Sequence, residues 1–230
     1  MNTKEKMSEL QSGGIVMVAY HFCREDLTSP NAPKMVWKVG QTRTMKGKIV
    51  PCKRGFHASP SLWDALPYAP GPIACLVELG GTIIPHGDDK FAASSRKLLA
   101  AVDVSKELRL FAADCAEHVI HLFEREYPND DRPRKAIEAA RAYAEGEIDK
   151  AAAWAAGDAA LDAARDAGSA GAAWAAGSAA LAAAGDASMA TFAAGDAARA
   201  KRDDARAERE WQRTRFDQRF GHLFSEEAPC

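Results

Sequence analysis

The sequence has little aromatic content, 8% of its 230 residues, and no clean apolar run long enough to cross a bilayer. Its alanine-rich tract comes nearest, but Asp158, Asp162, Arg165, Asp166, Asp186 and Asp196 interrupt it, which argues against a membrane span. The opening stretch Met1–Gln11 is polar and has no secretory apolar segment, so a cytoplasmic location in a bacterial host cell is expected. The five cysteines, Cys23, Cys52, Cys75, Cys115 and Cys230, are odd in number and irregularly spaced, as expected of reduced structural thiols. There is no strong excess of either charge. The formal net charge of −2 argues against a general nucleic-acid binder, and no direct nucleic-acid binding is expected.

Catalytic signatures are also scarce. Gly13-Gly14 and Gly80-Gly81 lack the spacing and the lysine of a phosphate loop. Ser94-Ser95, near His86 and Asp88-Asp89, reads as a polar loop, not a hydrolase trio. His21, Cys23, Cys52 and His57 match no zinc-finger spacing. Cys115, His118 and His121, three apart on a helix, fan over about 240° and share no face. No metal and no resident cofactor are expected.

What is present changes character near residue 105. Residues 1–104 carry 13 Lys/Arg against 9 Asp/Glu, and residues 105–230 carry 17 against 23. The expected fold class is α+β, with a small mixed or antiparallel β domain at 1–104 followed by an all-α, alanine-rich bundle at 105–230. In the first part, Ile15–Phe22, Met35–Val39, Lys48–Cys52 and Ile73–Leu79 read as strands. Thr82–Ile84 extends the last of them past a glycine bulge. Ser61–Tyr68 reads as a short helix that Ser59 or Ser61 can cap, and Lys97–Val104 fits either strand or helix.

In the second part, Ser105 is a candidate cap for a helix over Lys106–Tyr127. Its apolar stripe is Leu108, Phe111, Ala112, Cys115, Val119 and Leu122. Asp131 caps the next helix, whose Ile137, Ala140, Tyr143 and Ala144 face inward while Glu138 pairs with Arg141 outside. Residues 151–200 then hold 27 alanines in an imperfect repeat around Trp154, Trp174 and Phe192. In one straight helix the large residues would face opposite ways, so a break is predicted at Gly168–Gly171 and a second around Gly185-Asp186. Trp154, Trp174 and Phe192 are expected to lock the register of closely approaching alanine helices. Trp211, Phe216, Phe220, Leu223 and Phe224 form an apolar face that either closes the bundle or docks a partner.

Three resemblances follow. Gly55-Phe56-His57-Ala58-Ser59, with Ala65, Tyr68 and the strand Ala74–Leu79, resembles the middle motif of ADP-ribosyltransferase folds, with Tyr20-His21 standing for the first motif. That likeness implies NAD as cofactor and His21, His57 and Tyr68 as catalytic residues. The catalytic glutamate of the third motif has no counterpart: Glu78 is on the wrong strand, and Asp103 would have to substitute. The stretch from Trp37-Lys38-Val39-Gly40 through Gly87-Asp88-Asp89-Lys90 resembles a domain common in bacteriophage and prophage genes, often followed by an alanine-rich tail. Asp114-Cys115-Ala116-Glu117-His118, Leu122-Phe123 and Asp131–Arg141 are similar to immunity proteins of bacterial toxin systems, which implies a binding protein that neutralises another protein.

The resulting expectation is a non-enzymatic protein-binding inhibitor of phage or prophage origin. It would neutralise a bacterial toxin or a host-defence protein, anti-CRISPR action included, by stoichiometric binding. A basic partner such as a nuclease would meet Asp158, Asp162, Asp186, Asp196, Trp211 and Phe216. Small-residue helix faces also permit self-association. The alternative is an NAD-dependent ADP-ribosyltransferase-like enzyme, or a degenerate NAD-binding relative, in the first domain.

Overall fold

The computed structural model describes residues 16–29, 34–168, 171–184, 190–201 and 204–224. The chain divides into two units, Met1–Asp103 and Val104–Cys230. Strands β1 (Met17–Cys23), β2 (Thr42–Thr44), β3 (Phe56–Ala58), β4 (Ile73–His86) and β5 (Lys90–Asp103) build the first. All pairings are antiparallel, in the order β1-β4-β5-β2, and β3 also pairs with β5. Tyr20 in β1 exchanges backbone hydrogen bonds of 2.9 and 2.8 Å with Ser59, just past β3. The ladder therefore returns on itself and encloses a core of Cys75, Val77, Leu79, Ala93, Leu98, Phe56 and Trp37.

The expected glycine bulge is present. The β4–β5 register shifts between Gly80 and Ile83, and Gly81 sits at φ +68°, where a side chain would be strained. Ser94 and Ser95 lie within β5, not in a loop, and Ser94 Oγ accepts the Thr82 N–H at 2.9 Å. Lys97–Val104 resolves as strand up to Asp103. Met35–Val39 is not a strand: Trp37 is anchored by one bond to Leu27 O at 3.0 Å, and its apolar pattern reflects burial of that side chain. Lys48–Cys52 is not one either. Val50 and Arg54 close a tight turn, with Cys52 at φ +61° between them. Helix α1 (Leu62–Ala65) is capped by Ser61 Oγ, which accepts the Asp64 N–H at 3.1 Å, and a 3₁₀ turn follows over Leu66–Tyr68.

The second unit contains α2 (Ser105–Val119), α3 (His121–Glu126), α4 (Arg132–Glu145), α5 (Lys150–Asp166), α6 (Gly171–Ala184), α7 (Ala190–Ala200) and α8 (Ala205–Phe220). Ser105 is the first helical residue instead of the cap. The single helix expected over Lys106–Tyr127 divides at Ile120. Phe123, not Leu122, enters the core there and stacks on Tyr127 at 4.9 Å. Asp131 holds the cap position of α4 without a capping bond, and Asp130 accepts the Arg132 N–H in its place. Ile137 and Ala140 are buried, while Tyr143 and Ala144 are half-buried.

The break at Gly168–Gly171 is observed, with Gly168 in the left-handed region at φ +63°. The second expected break, at Gly185-Asp186, lies outside the described residues. Helix α6 carries no charge and packs against α2, α4, α5 and α7, as a helix apolar on every side should. The expected aromatic locks are not where the register is set. Trp154 is 44% and Phe192 58% exposed, and Trp174 is half-buried. The close approach is made by small residues. A Cβ on Gly177 would lie 2.6 Å from Leu161 and 3.2 Å from the Gly157 carbonyl, and one on Gly171 2.9 Å from Ala200 Cα. An indole ring at these crossings would hold the helices apart, and Trp154 is turned outward.

Candidate functional site

In the helical unit, one face of α2 carries Asp114 between the buried Phe111 and Cys115. A carboxylate there must be paired or lose its charge. Arg141 of α4 and Arg215 and Arg219 of α8 converge on it, at 2.9, 2.7 and 2.6 Å. Burial pushes the Asp114 carboxyl up, but the guanidiniums of Arg219, Arg215 and Arg141 outweigh it and hold it below the usual carboxylate range. Arg141 therefore turns toward Asp114 and not, as the spacing suggested, toward Glu138. Glu117 and Glu124 share Arg134, with Glu124 Oε1 at 2.7 Å from its Nη2. Asp130 and Asp166 share Arg132 at 2.7 and 2.9 Å.

The last helix is attached by a second polar row. Glu208 is buried, lies 2.7 Å from His118 Nδ1 and accepts from Gln212 Nε2 at 3.1 Å. Gln212 also donates to Ala194 O at 2.9 Å. Trp211 stacks on His118 with centroids 3.7 Å apart and planes 1° from parallel. A shallow cleft of about 460 Å³ opens between Asp114, His118, Arg141, Trp211 and Arg215.

Of the residues expected to meet a partner, Asp158 and Asp162 are exposed on α5, where Asp162 pairs with Arg165. Asp196 is half-buried, accepting from Ser178 Oγ at 2.6 Å and pairing with Arg199. Trp211 is half-buried against His118. Phe216 is buried at 0% exposure in an aromatic cluster with Phe111 and Phe220, and is no surface residue. The face with Phe216 and Phe220 closes the bundle. Asp186 lies outside the described residues.

In the strand unit, His21, His57 and Tyr68 come together around one cavity of about 760 Å³. Each has a polar atom already engaged. His57 Nε2 accepts the Cys52 N–H at 3.0 Å, which fixes the proton on Nδ1 when the ring is neutral. Tyr68 Oη donates to Asp89 at 2.6 Å. His21 Nε2 lies 3.4 Å from Ser29 Oγ. Burial, then Arg96, lowers the His21 pKa; burial, then Lys90 and Arg96, lowers that of His57. Among the described residues lining the cavity there is no carboxylate. Glu78 pairs in register with Val18 and Lys97, and Asp103 with Ile73; neither lines it.

Sequence reasoning missed Arg96. It is 4% exposed, stacked 4.3 Å over Trp37, and donates from Nη1 to the His57 carbonyl at 2.8 Å. The signal was its position two residues before Leu98, a core residue of β5. Behind it, Cys23 and Cys75 are adjacent free thiols. The pairing with Cys75, and then His21, lowers the Cys23 thiol pKa, while the same pairing with Cys23, and then burial, pushes the Cys75 thiol up. Among the described residues no group of three or more His, Cys, Asp or Glu is placed to hold a metal ion, and no helix is long and apolar enough to cross a membrane.

Residues 103–219 match the family model described as Imm-5 like putative immunity protein. Residues 17–110 match a domain of unknown function, DUF7666. No curated protein and no solved structure matches the chain.

Proposed function

The chain belongs to the Imm-5 like family, whose model covers its helical unit from residue 103 to 219, and on that basis we propose that it is an immunity-type protein that neutralises a bacterial protein toxin by binding it one to one. The observation that carries the contact surface is on α5. Trp154, Asp158 and Asp162 recur at four-residue steps, and all three are exposed. Residues so spaced stand on one helix face. The ridge combines a large apolar anchor with two carboxylates, the complement of a basic surface with an apolar pocket. The helix beneath is fixed by the Leu161–Gly177 contact and by Asp166, which pairs with Arg132. The anchor is thereby presented at little further ordering cost.

The residues that resemble immunity proteins have a separate role in this reading. Asp114, Glu117, His118, Arg132, Arg134 and Arg141 tie helices to one another, so they preserve the scaffold while the exposed ridge sets partner choice. A host-defence subunit, the target that a phage or prophage setting implies, is the other occupant of the same ridge. The test is protection of toxin-expressing bacteria. The native chain restores growth, and the variant with Trp154→Ala, Asp158→Asn and Asp162→Asn does not while folding normally. Full protection by that variant contradicts the ridge. Release of nicotinamide from NAD by the purified chain contradicts the binding reading and favours an enzyme.

A further inference from the structure

A buried guanidinium without a carboxylate partner is costly, and among the described residues Arg96 has none. Its Nε has no hydrogen-bond partner, its Nη1 is spent on a neutral carbonyl, and the side chain lines the 760 Å³ cavity of the strand unit. The other charged side chains on that lining, Lys53, Arg54 and Lys90, are also cationic. Among the described residues the charged lining is therefore all positive, with apolar surface from Met35, Met45 and Phe56 between the charges. The stack on Trp37 holds the Arg96 guanidinium in place before any ligand arrives.

We infer that this cavity is a binding site for a small organic anion, with Arg96 receiving a phosphate or carboxylate group and Lys53 and Lys90 completing the charge match. An oxyanion supplies the acceptor atoms that a guanidinium fork requires. The volume is that of a small-molecule site and exceeds what a bare inorganic ion fills, so the anion carries an apolar body against Met35 and Met45. The Cys23 thiol does not line the cavity and is not the ligand's contact. The inference rests on the strand unit alone, and its failure leaves the toxin-binding reading standing.

The experiment uses the full chain labelled with 5-fluorotryptophan, the Trp37 ¹⁹F signal being assigned with a Trp37→Phe variant. AMP, citrate and uncharged adenosine are titrated separately. A saturable shift of the Trp37 signal by AMP or citrate, with Kd below about 1 mM and at least about tenfold weaker binding of adenosine, is the expected result. AMP alone identifies a phosphate ligand, and citrate alone a carboxylate. Arg96→Met should abolish the shift. Lys53→Gln, a change at an exposed position that leaves the core intact, should weaken it severalfold if the first variant does not fold. No saturable shift with either anion, or equal shifts by adenosine, overturns the site, as does binding unchanged in the folded variants.

Discussion

Arg219 Nε donates to Asp114 Oδ2 at 2.6 Å across 105 residues of sequence, closing the end of the last helix onto the first long one. Arg215 and Arg141 reach the same carboxylate, so one anion joins three helices. Replacing it removes the counter-charge from all three guanidiniums. Asp114→Asn should lower stability by about 3 kcal/mol, because charges near a buried site are left unpaired. Asp162→Asn, which breaks an exposed pair within one helix, should cost about 0.5 kcal/mol or less. Urea denaturation at neutral pH measures both.

Acid should loosen the same clasp. The folded-state pKa of Asp114 is depressed, so its contribution is complete above the unfolded value of about 3.9 and is lost as pH falls through the lower folded value. Far-UV circular dichroism from pH 5 down to pH 2 should show helix loss below about pH 4, and Asp114→Asn should flatten that dependence.

The strand unit has a different window. His21 and His57 are both held below the ordinary histidine pKa, their neutral forms being favoured by burial and neighbouring cations. The unfolded chain takes up these protons first, near pH 6.5, so stability is full above that pH and falls as pH drops toward the folded values. The melting temperature of this unit should be lower at pH 5.5 than at pH 7.5. His57→Gln, which still offers an acceptor to the Cys52 N–H, should reduce the difference. The ring proton resonances of both histidines should titrate below pH 6.5.

Helix spacing in the alanine tract gives an inverted size rule. Gly177→Ala adds one methyl yet meets Leu161 and the Gly157 carbonyl, so it should cost about 1–3 kcal/mol. Trp154→Ala removes a whole indole from an exposed position and should change stability by about 0.5 kcal/mol or less. A thermal melt of the two variants, side by side, decides whether small residues or aromatics set the register.

The legible parts of the sequence were those governed by local chemistry. Gly168 ends α5 because glycine tolerates the left-handed backbone there, and Gly80-Gly81 places the bulge for the same reason. A serine cap, which the structure assigns to Ser61 of the two candidates Ser59 and Ser61, and the apolar stripe from Leu108 to Val119 follow from nearest neighbours. Met35–Val39 misled because Trp37 is buried by tertiary packing without joining a ladder. The Asp114 clasp depends on arginines 27, 101 and 105 residues away, a relationship that no periodicity carries. A signal did exist: Asp114 sits on the buried stripe of α2, and Glu208 and Gln212 continue the stripe of Phe216 and Phe220. Charged residues on an apolar face mark a buried network, just as Arg96 on the inward register of β5 marks the cavity. The candidate partner residues divided on exposure, which sequence does not give: Asp158 and Asp162 face outward, and Phe216 is core.

Neutralisation by one-to-one binding is tested most directly by finding the toxin against which the chain protects bacteria and titrating the chain into it. Residual toxin activity should fall linearly and reach zero at one equivalent, with a single 1:1 complex in light scattering. Complete loss of toxin activity at a small fraction of an equivalent, or undiminished activity in the presence of excess chain, would contradict the account.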